Sequence, residues 1–516
     1  MNKLTGLLLT ALVLSFSVSA NNMQISNIST SQVNGSIVIN FNLSWENSWR
    51  TASTGNYDGA WVFFKFKDND GKWKPIRFSG TNNTAPAGYT VDISNNGSNN
   101  GIGAFVYRSN LGFGNVALTN IRAGIEPLPG IFDVKGFAIE MVYVPQGSFY
   151  VGDSTGIAGA AYQLGNTIGP YKVYGVGSTV TLGIGASDLS GENEQTLNGN
   201  LTNFPVGYNA FWIMKYEVSQ GGWRDYFNTL TFIQQNNRGI TSGQNPGDLL
   251  SRGGTRGRIE LISQGSFLTS PHSPAIVGCD FDNDGIYNEP SDGEWIAMSN
   301  LNWPDVASYL DWAGLRPMTE LEYEKACRGP VRVKQNEYAW GTPNISSSVY
   351  TLINEGLNNE AISNSSSTEG NALFSIGNVR GGLFATAFSS RISSGASYYG
   401  VMELSGNAAE LCVTTWNLAG RSFTGKQGDG ILSATAAFAD EISWPGMNGN
   451  GTTTTANGEA TPISGGCSGV AGIIIRGGHY VSGNAISKRY TPLSGINGAI
   501  PARVLEYGIR GVRDAN

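Results

Sequence analysis

Between Ser36 and Glu46 the chain alternates apolar with polar residues. Ile37, Ile39, Phe41, Leu43 and Trp45 fall on one side, the period of a strand with one buried face. Trp61 to Lys67 predicts a second strand, and Asp68-Asn-Asp-Gly predicts a turn into Lys72-Trp-Lys. Gly103 to Arg108 and Val116 to Ile121 continue the series. Short strands separated by Asn/Gly turns predict a β-sandwich over residues 21–134, with Trp45, Trp61 and Phe63 in its core rather than on a glycan-binding face. Glu126-Pro-Leu-Pro-Gly reads as a linker. Farther on the period changes. Trp303 to Ala313 carries Val306, Leu310 and Ala313 on one side of an amphipathic helix, and Thr319 with Glu322 forms a capping box for the next.

Residues 1–20 combine Lys3, an apolar run from Leu7 to Val18 and small residues before Asn21, the pattern of a signal peptide removed after Ala20. No later run reaches the roughly 18 apolar residues of a membrane span. The expectation is a mature protein that is secreted, at the cell surface or in the periplasm, without membrane insertion. A formal net charge of −7 disfavours nucleic acid as a partner. The charged fraction of 14% is well below the roughly 25% of ordinary domains, and 70 glycines point to many turns and loops. Ser251-Arg-Gly-Gly-Thr-Arg-Gly-Arg is expected to be a solvated loop.

Cys279, Cys327, Cys412 and Cys467 allow two disulfides in three connectivities, and none has the CxxC spacing of a redox or zinc site. Asp280-Phe-Asp-Asn-Asp-Gly-Ile-Tyr-Asn-Glu-Pro-Ser-Asp sets carboxylates at positions 1, 3 and 5 before a turn glycine. This is a calcium-loop pattern with Asp280, Asp282, Asp284, the Ile286 carbonyl, Asn288 and a closing Asp292 as ligands. Only His272 and His479 are present, so a three-histidine metal site is ruled out, while two histidines with a carboxylate stay arithmetically open. Ser482 as a nucleophile with His479 as base is disfavoured, because residues three apart on one extended strand point to opposite faces.

Three segments carry a family resemblance: Arg-Pro-Met-Thr-Glu-Leu-Glu-Tyr-Glu-Lys-Ala at 316–326, Ser-Gly-Asn-Ala-Ala-Glu at 405–410, and Arg-Gly-Gly-His-Tyr-Val-Ser-Gly-Asn from Arg476. With Phe137 to Asp153, Phe211 to Ser219 and the closing Tyr507 to Arg513, they resemble the formylglycine-generating enzyme (sulfatase-modifying factor) family in order and spacing. The resemblance implies an α+β chain in which residues 135–516 form a C-type-lectin-like domain with long loops, insertions falling near 154–205, 236–295 and 422–470. Active members use two cysteines to bind copper and oxidise a substrate cysteine. Here Ser482 and Ser487 stand in their places, and a hydroxyl does not replace a soft thiolate, so no copper is expected. The resemblance also implies a calcium site at Glu403, Gly406, Ala408 and Glu410. It favours Cys327 with Cys412 as a disulfide, leaving Cys279 with Cys467. The expected function is that of an exported, non-catalytic structural or binding protein stabilised by calcium, its partners being surface or periplasmic proteins, glycans or further copies of itself. The alternative is an exported metal-dependent oxidoreductase with a divergent site.

Overall fold

The computed structural model describes residues 22–95, 100–128, 133–154, 162–191, 199–240, 243–251, 256–372, 377–415, 418–446, 452–454, 460–462, 472–483 and 503–516. The chain is strand-rich with few helices, a mostly-β form of α+β. Its first eight strands are β1 (Gln24–Val33), β2 (Ser36–Arg50), β3 (Tyr57–Lys67), β4 (Trp73–Pro75), β5 (Tyr89–Ile93), β6 (Ala104–Arg108), β7 (Gly112–Gly124) and β8 (Val134–Val144). The alternation read in Ser36 to Glu46 is that of β2, which pairs antiparallel with β1 on one edge and β7 on the other. Its apolar positions Ile39, Phe41, Leu43 and Trp45 pack against Ala60, Val62 and Phe64 of β3, with the Phe41 and Phe64 rings 5.3 Å apart edge to face. At the predicted turn, Asp68 Oδ1 accepts from the amides of Asp70 (3.0 Å) and Lys72 (2.8 Å), and Gly71 takes φ +78°.

β3 begins earlier than its apolar run indicates, at Tyr57, and its nine central residues are all buried. Both of its faces are covered, so it reads as a continuous apolar run rather than an alternation. It pairs with β6 and with β8. β8 in turn pairs with Phe211–Met214, and the sheet ends in Gly511–Asp514 and Arg316–Pro317. One sheet therefore crosses the expected boundary near residue 134. Trp61 and Phe63 belong to a core shared with Trp212 and Trp312, and the Trp61 indole N–H donates to Ala313 O (2.8 Å).

The helices α1 (Gln220–Phe227), α2 (Phe232–Asn236), α3 (Trp303–Trp312) and α4 (Glu320–Arg328) pack against this sheet and its connections. The Thr319–Glu322 capping box forms as read, Glu322 N donating to Thr319 Oγ1 (3.2 Å) and Thr319 N to Glu322 Oε2 (2.9 Å). The amphipathic reading of α3 does not hold, because every residue of that helix is buried. Its polar side is covered by partners: Asp305 pairs with Arg238 (2.9 Å) and Arg503 (2.7 Å), Ser308 bonds Tyr226, and Asp311 accepts from the amides of Asp429 (2.9 Å) and Asp440 (3.1 Å). The Ser251 to Arg258 segment also departs from expectation at Arg256, which is buried and ion-paired with Glu360.

The disulfide expectation is corrected. Cys327 and Cys412 lie in one apolar cluster with Val142, Ile213 and Ile474, but both are free thiols, and Cys279 is a third buried free thiol. In such surroundings cysteine serves as a small apolar side chain, and burial pushes all three thiols up, away from the reactive thiolate. Cys467 lies outside the described residues.

Candidate functional site

The acidic loop begins where a hairpin delivers it. Ile259–Ser263 pairs with Ile276–Cys279, so Asp280 stands at the end of a strand. Asp280 is buried, and its two oxygens accept from the amides of Asp284 (3.1 Å) and Gly285 (3.3 Å), folding the loop over its own first carboxylate. Gly285 takes φ +83°, the turn conformation its position requires. Two overlapping carboxylate groups result, Asp280–Asp282–Asp284 and Asp282–Glu289–Asp292, each with one oxygen per residue within 4.8 Å of the others. Burial and the carboxylates of Asp282, Asp280 and Glu289 push the Asp292 carboxyl up to about 6. Asn288 is not turned to this cluster. Its Oδ1 accepts from Cys279 N (3.0 Å) and Arg224 (2.8 Å), so its expected place among the ligands is corrected. Ile286 is exposed, its N–H on Asp284 Oδ1 (2.7 Å). Glu289 takes part without having been picked out, although it lies inside the same acidic stretch.

Beyond the loop, Arg224 is held by both Asn288 and Glu294 and lines a cavity of about 450 Å³. Phe63, Tyr309 and Trp312 form its aromatic side.

The second expected site is deeper. Glu410 is fully buried and paired with Arg510 (3.1 Å), whose other donors reach Met214 O (2.9 Å), Lys215 O (3.1 Å) and Met402 O (2.9 Å). Glu403 Oε1 accepts from Gly382 N (2.8 Å). Glu403 Oε2 and Glu410 Oε2 are both buried with no hydrogen-bond partner. Burial lifts the Glu403 carboxyl to about 7 against the pull of Arg510, and lifts Glu410 as well. Gly406 takes φ +134°, and Ala408 donates its N–H to Glu217 Oε1 (2.8 Å). Glu217, which the sequence reading passed over, is a third buried carboxylate here and also accepts from the Asn407 side chain. Orphan oxygens on the two expected carboxylates fit a hard cation better than a neutral ligand.

The Gly-Gly pair after Arg476 sits against this cluster. Gly477 takes φ +85°, and any side chain there would run into Glu410 Oε2. Arg476 itself is buried between Glu320 (3.1 Å) and Glu324. The strip then turns back on itself. Gly478–His479 pairs with Ser482–Gly483, setting His479 opposite Ser482 across a hairpin. This corrects the uninterrupted strand assumed in separating the two residues. The Ser482 side chain and Ser487 lie outside the described residues. His479 is half-buried, with Val481 N donating to its Nδ1 (3.4 Å), and burial lowers its pKa. His272 is exposed and bonds Thr269 O (3.1 Å).

A third carboxylate group, Asp311–Asp429–Asp440, is assembled from segments distant in sequence and has no local signature. Lys65 of β3 reaches it, donating to Gly430 O (2.9 Å). Burial lowers the Lys65 ammonium to about 7, with Asp311 and Asp429 opposing.

A comparison with curated proteins finds no match. Residues 134–515 match the family model of the sulfatase-modifying factor enzyme 1-like domain, from the first residue of β8 to one residue past the strand Gly511–Asp514. With that match spanning most of its length, the chain belongs to the formylglycine-generating enzyme (sulfatase-modifying factor) family.

Proposed function

We propose that this protein is an exported, non-catalytic structural or binding component of the bacterial surface or periplasm, stabilised by calcium. In this reading residues 21–134 are a β-sandwich, residues 135–516 a C-type-lectin-like domain, and the partners are surface proteins, glycans or further copies of the chain. The observation that carries the non-catalytic part is the pair Ser482 and Ser487 where active members have cysteines. A hydroxyl keeps its proton at neutral pH and offers copper(I) a hard oxygen in place of soft sulfur. The three described thiols lend no substitute, since each is buried and held protonated. Calcium is supported by the carboxylate groups of the 280–292 loop and by the orphan oxygens of Glu403 and Glu410. Were calcium bound at the deeper centre, the side chains of Glu403 and Glu410 would hold it, with the Gly406 and Ala408 carbonyls as the family-like remainder of the set. Its role there is to neutralise buried acids, with no chemical step attached.

The test is elemental analysis of the untagged mature protein prepared without chelators, together with oxidation assays on a cysteine-containing peptide in the presence of copper and oxygen. Calcium at about one or two equivalents, with no turnover, is the expected result. Stoichiometric copper or iron, or conversion of the peptide cysteine, overturns the non-catalytic reading.

A further inference from the structure

We propose that the loop's calcium ion is held by Asp282, Glu289 and Asp292, with Asp292 as its buried anchor, and that Asn288 takes no part. The proposal deepens the calcium reading given above and rests on it. Its starting observation is one oxygen. Asp292 is 0% exposed, its Oδ2 accepts from Glu289 N (2.8 Å), and its Oδ1 is buried without any hydrogen-bond donor. A carboxylate oxygen taken from water and given no partner is costly, and a cation removes that cost.

Besides the Glu289 N–H on its Oδ2, Asp292 has the carboxylates of Asp282 and Glu289 beside it. One oxygen each of Asp282, Glu289 and Asp292 lies within 4.8 Å of the others, and among the described residues no lysine or arginine forms an ion pair with any of the three. Calcium binds oxygen at about 2.3–2.6 Å, so ligands on opposite sides of it are separated by roughly the span already present. Magnesium, at about 2.0–2.1 Å with strict octahedral demands, fits less well. Glu289 Oε1 takes the Ser291 hydroxyl (2.9 Å).

The companion group is differently employed. Both oxygens of Asp280 accept loop amides, and Asp284 Oδ1 accepts from Ile286 N. Those carboxylates fold the turn, and Asp282, common to both groups, carries the ion site across to the closing residues. Asn288 is committed to Cys279 and Arg224, so the sequence position that a calcium loop would use is replaced by its neighbour Glu289.

The experiment is terbium luminescence on the full mature chain, excited through Tyr287 in the loop and titrated with calcium as competitor. Wild type is compared with Glu289→Gln, Asp292→Asn, Asp282→Asn, Asp284→Asn and a control, Glu355→Gln, which alters an exposed carboxylate outside both groups. Glu289→Gln, Asp292→Asn and Asp282→Asn are each expected to weaken calcium about tenfold or more, since even outer-shell substitutions at metal sites cost about 10–100-fold, and the control is expected to match wild type. Circular dichroism establishes that each variant is folded. Asp282 is exposed and Glu289 half-buried, so these two keep the test decisive if Asp292→Asn does not fold. If Asp284→Asn abolishes binding while Glu289→Gln and Asp292→Asn bind as wild type, the ion sits in the first group. That outcome overturns the inference and leaves the calcium reading standing. Wild-type emission that Asp282→Asn does not alter would instead show that the loop binds no ion, which overturns the inference and leaves the calcium reading to rest on Glu403 and Glu410 alone.

Discussion

The two acidic centres of this protein use the same side chains under opposite conditions. In the 280–292 loop all the carboxylates come from one short stretch, and Asp282 and Asp284 are open to water. In the deeper centre Glu403 and Glu410 come from one turn and Glu217 from a segment distant in sequence, and Arg510 is their common counter-ion. A local loop can fill and empty without disturbing the fold around it. Buried acids cannot wait for an ion, because an uncompensated charge in the interior costs several kcal/mol, and so the chain supplies a guanidinium of its own. The difference separates carboxylates left open to water from carboxylates built into the architecture.

Removing the resident cation tests that separation most severely. Arg510→Met leaves Glu410 without its partner and three backbone carbonyls without their donor. An expected loss of about 3–5 kcal/mol, or failure to fold, should appear in urea unfolding. A loss below about 1 kcal/mol would mean that Glu410 is held as the neutral acid, and the two centres would then differ less than their geometry says. The pH dependence of the chelated protein comes next. Burial raises Glu403 to about 7 from its ordinary 4.5, so its contribution to stability is fully present below pH 4.5 and lost as pH rises through 7. In EGTA the melting temperature is expected to fall between pH 5 and pH 8, with Glu403 contributing the equivalent of about 2–3 kcal/mol and Glu410, lifted by the same burial, adding in the same direction. Excess calcium should remove much of that fall, since a cation favours the ionised form. A chelated protein equally stable at both pH values would place Glu403 outside the cation site.

Gly477→Ala has a smaller expected effect. The added methyl meets Glu410 Oε2, and the φ of +85° disfavours any side chain. A cost of about 1–3 kcal/mol is expected, measured by the same unfolding series, and a neutral result would show that the cluster yields to accommodate it.

How far each centre was legible follows from the same contrast. The loop's carboxylate groups could be read from their spacing because they lie in one short stretch, and only the difference between Asn288 and Glu289 depended on where Arg224 sits. The deeper centre was reached at Glu403 and Glu410 through family resemblance, while Glu217 and Arg510 were invisible as partners because nothing local joins residues so distant in sequence. The same limit explains the remainder of the fold. The alternation in β2 and the Thr319 capping box are local and were read correctly. The burial of all of α3 depends on Arg238, Arg503 and the amides of 429 and 440, and the hairpin that sets His479 opposite Ser482 depends on a turn at Tyr480–Val481 without Gly, Pro or Asn to announce it. Cys327 and Cys412 illustrate a different limit, since a shared cluster brings two thiols together for packing as readily as for bonding.

The smallest expected effect is also the sharpest, because it should change sign. Asp282 is exposed, belongs to both carboxylate groups of the loop, and its side chain accepts no hydrogen bond from the described residues that would hold the fold. In EGTA its charge only repels Asp280, Asp284, Glu289 and Asp292. Asp282→Asn should therefore leave stability unchanged or raise it, by about 0.5 kcal/mol, the scale of exposed charge pairs. In millimolar calcium the same substitution removes a ligand, and the variant should melt below wild type because it gains less from the ion. Melting curves of both proteins in the two buffers give the answer directly. A substitution that destabilises equally with and without calcium would show that Asp282 shapes the loop rather than serving an ion, and the loop would then belong to the architecture, as the deeper centre does.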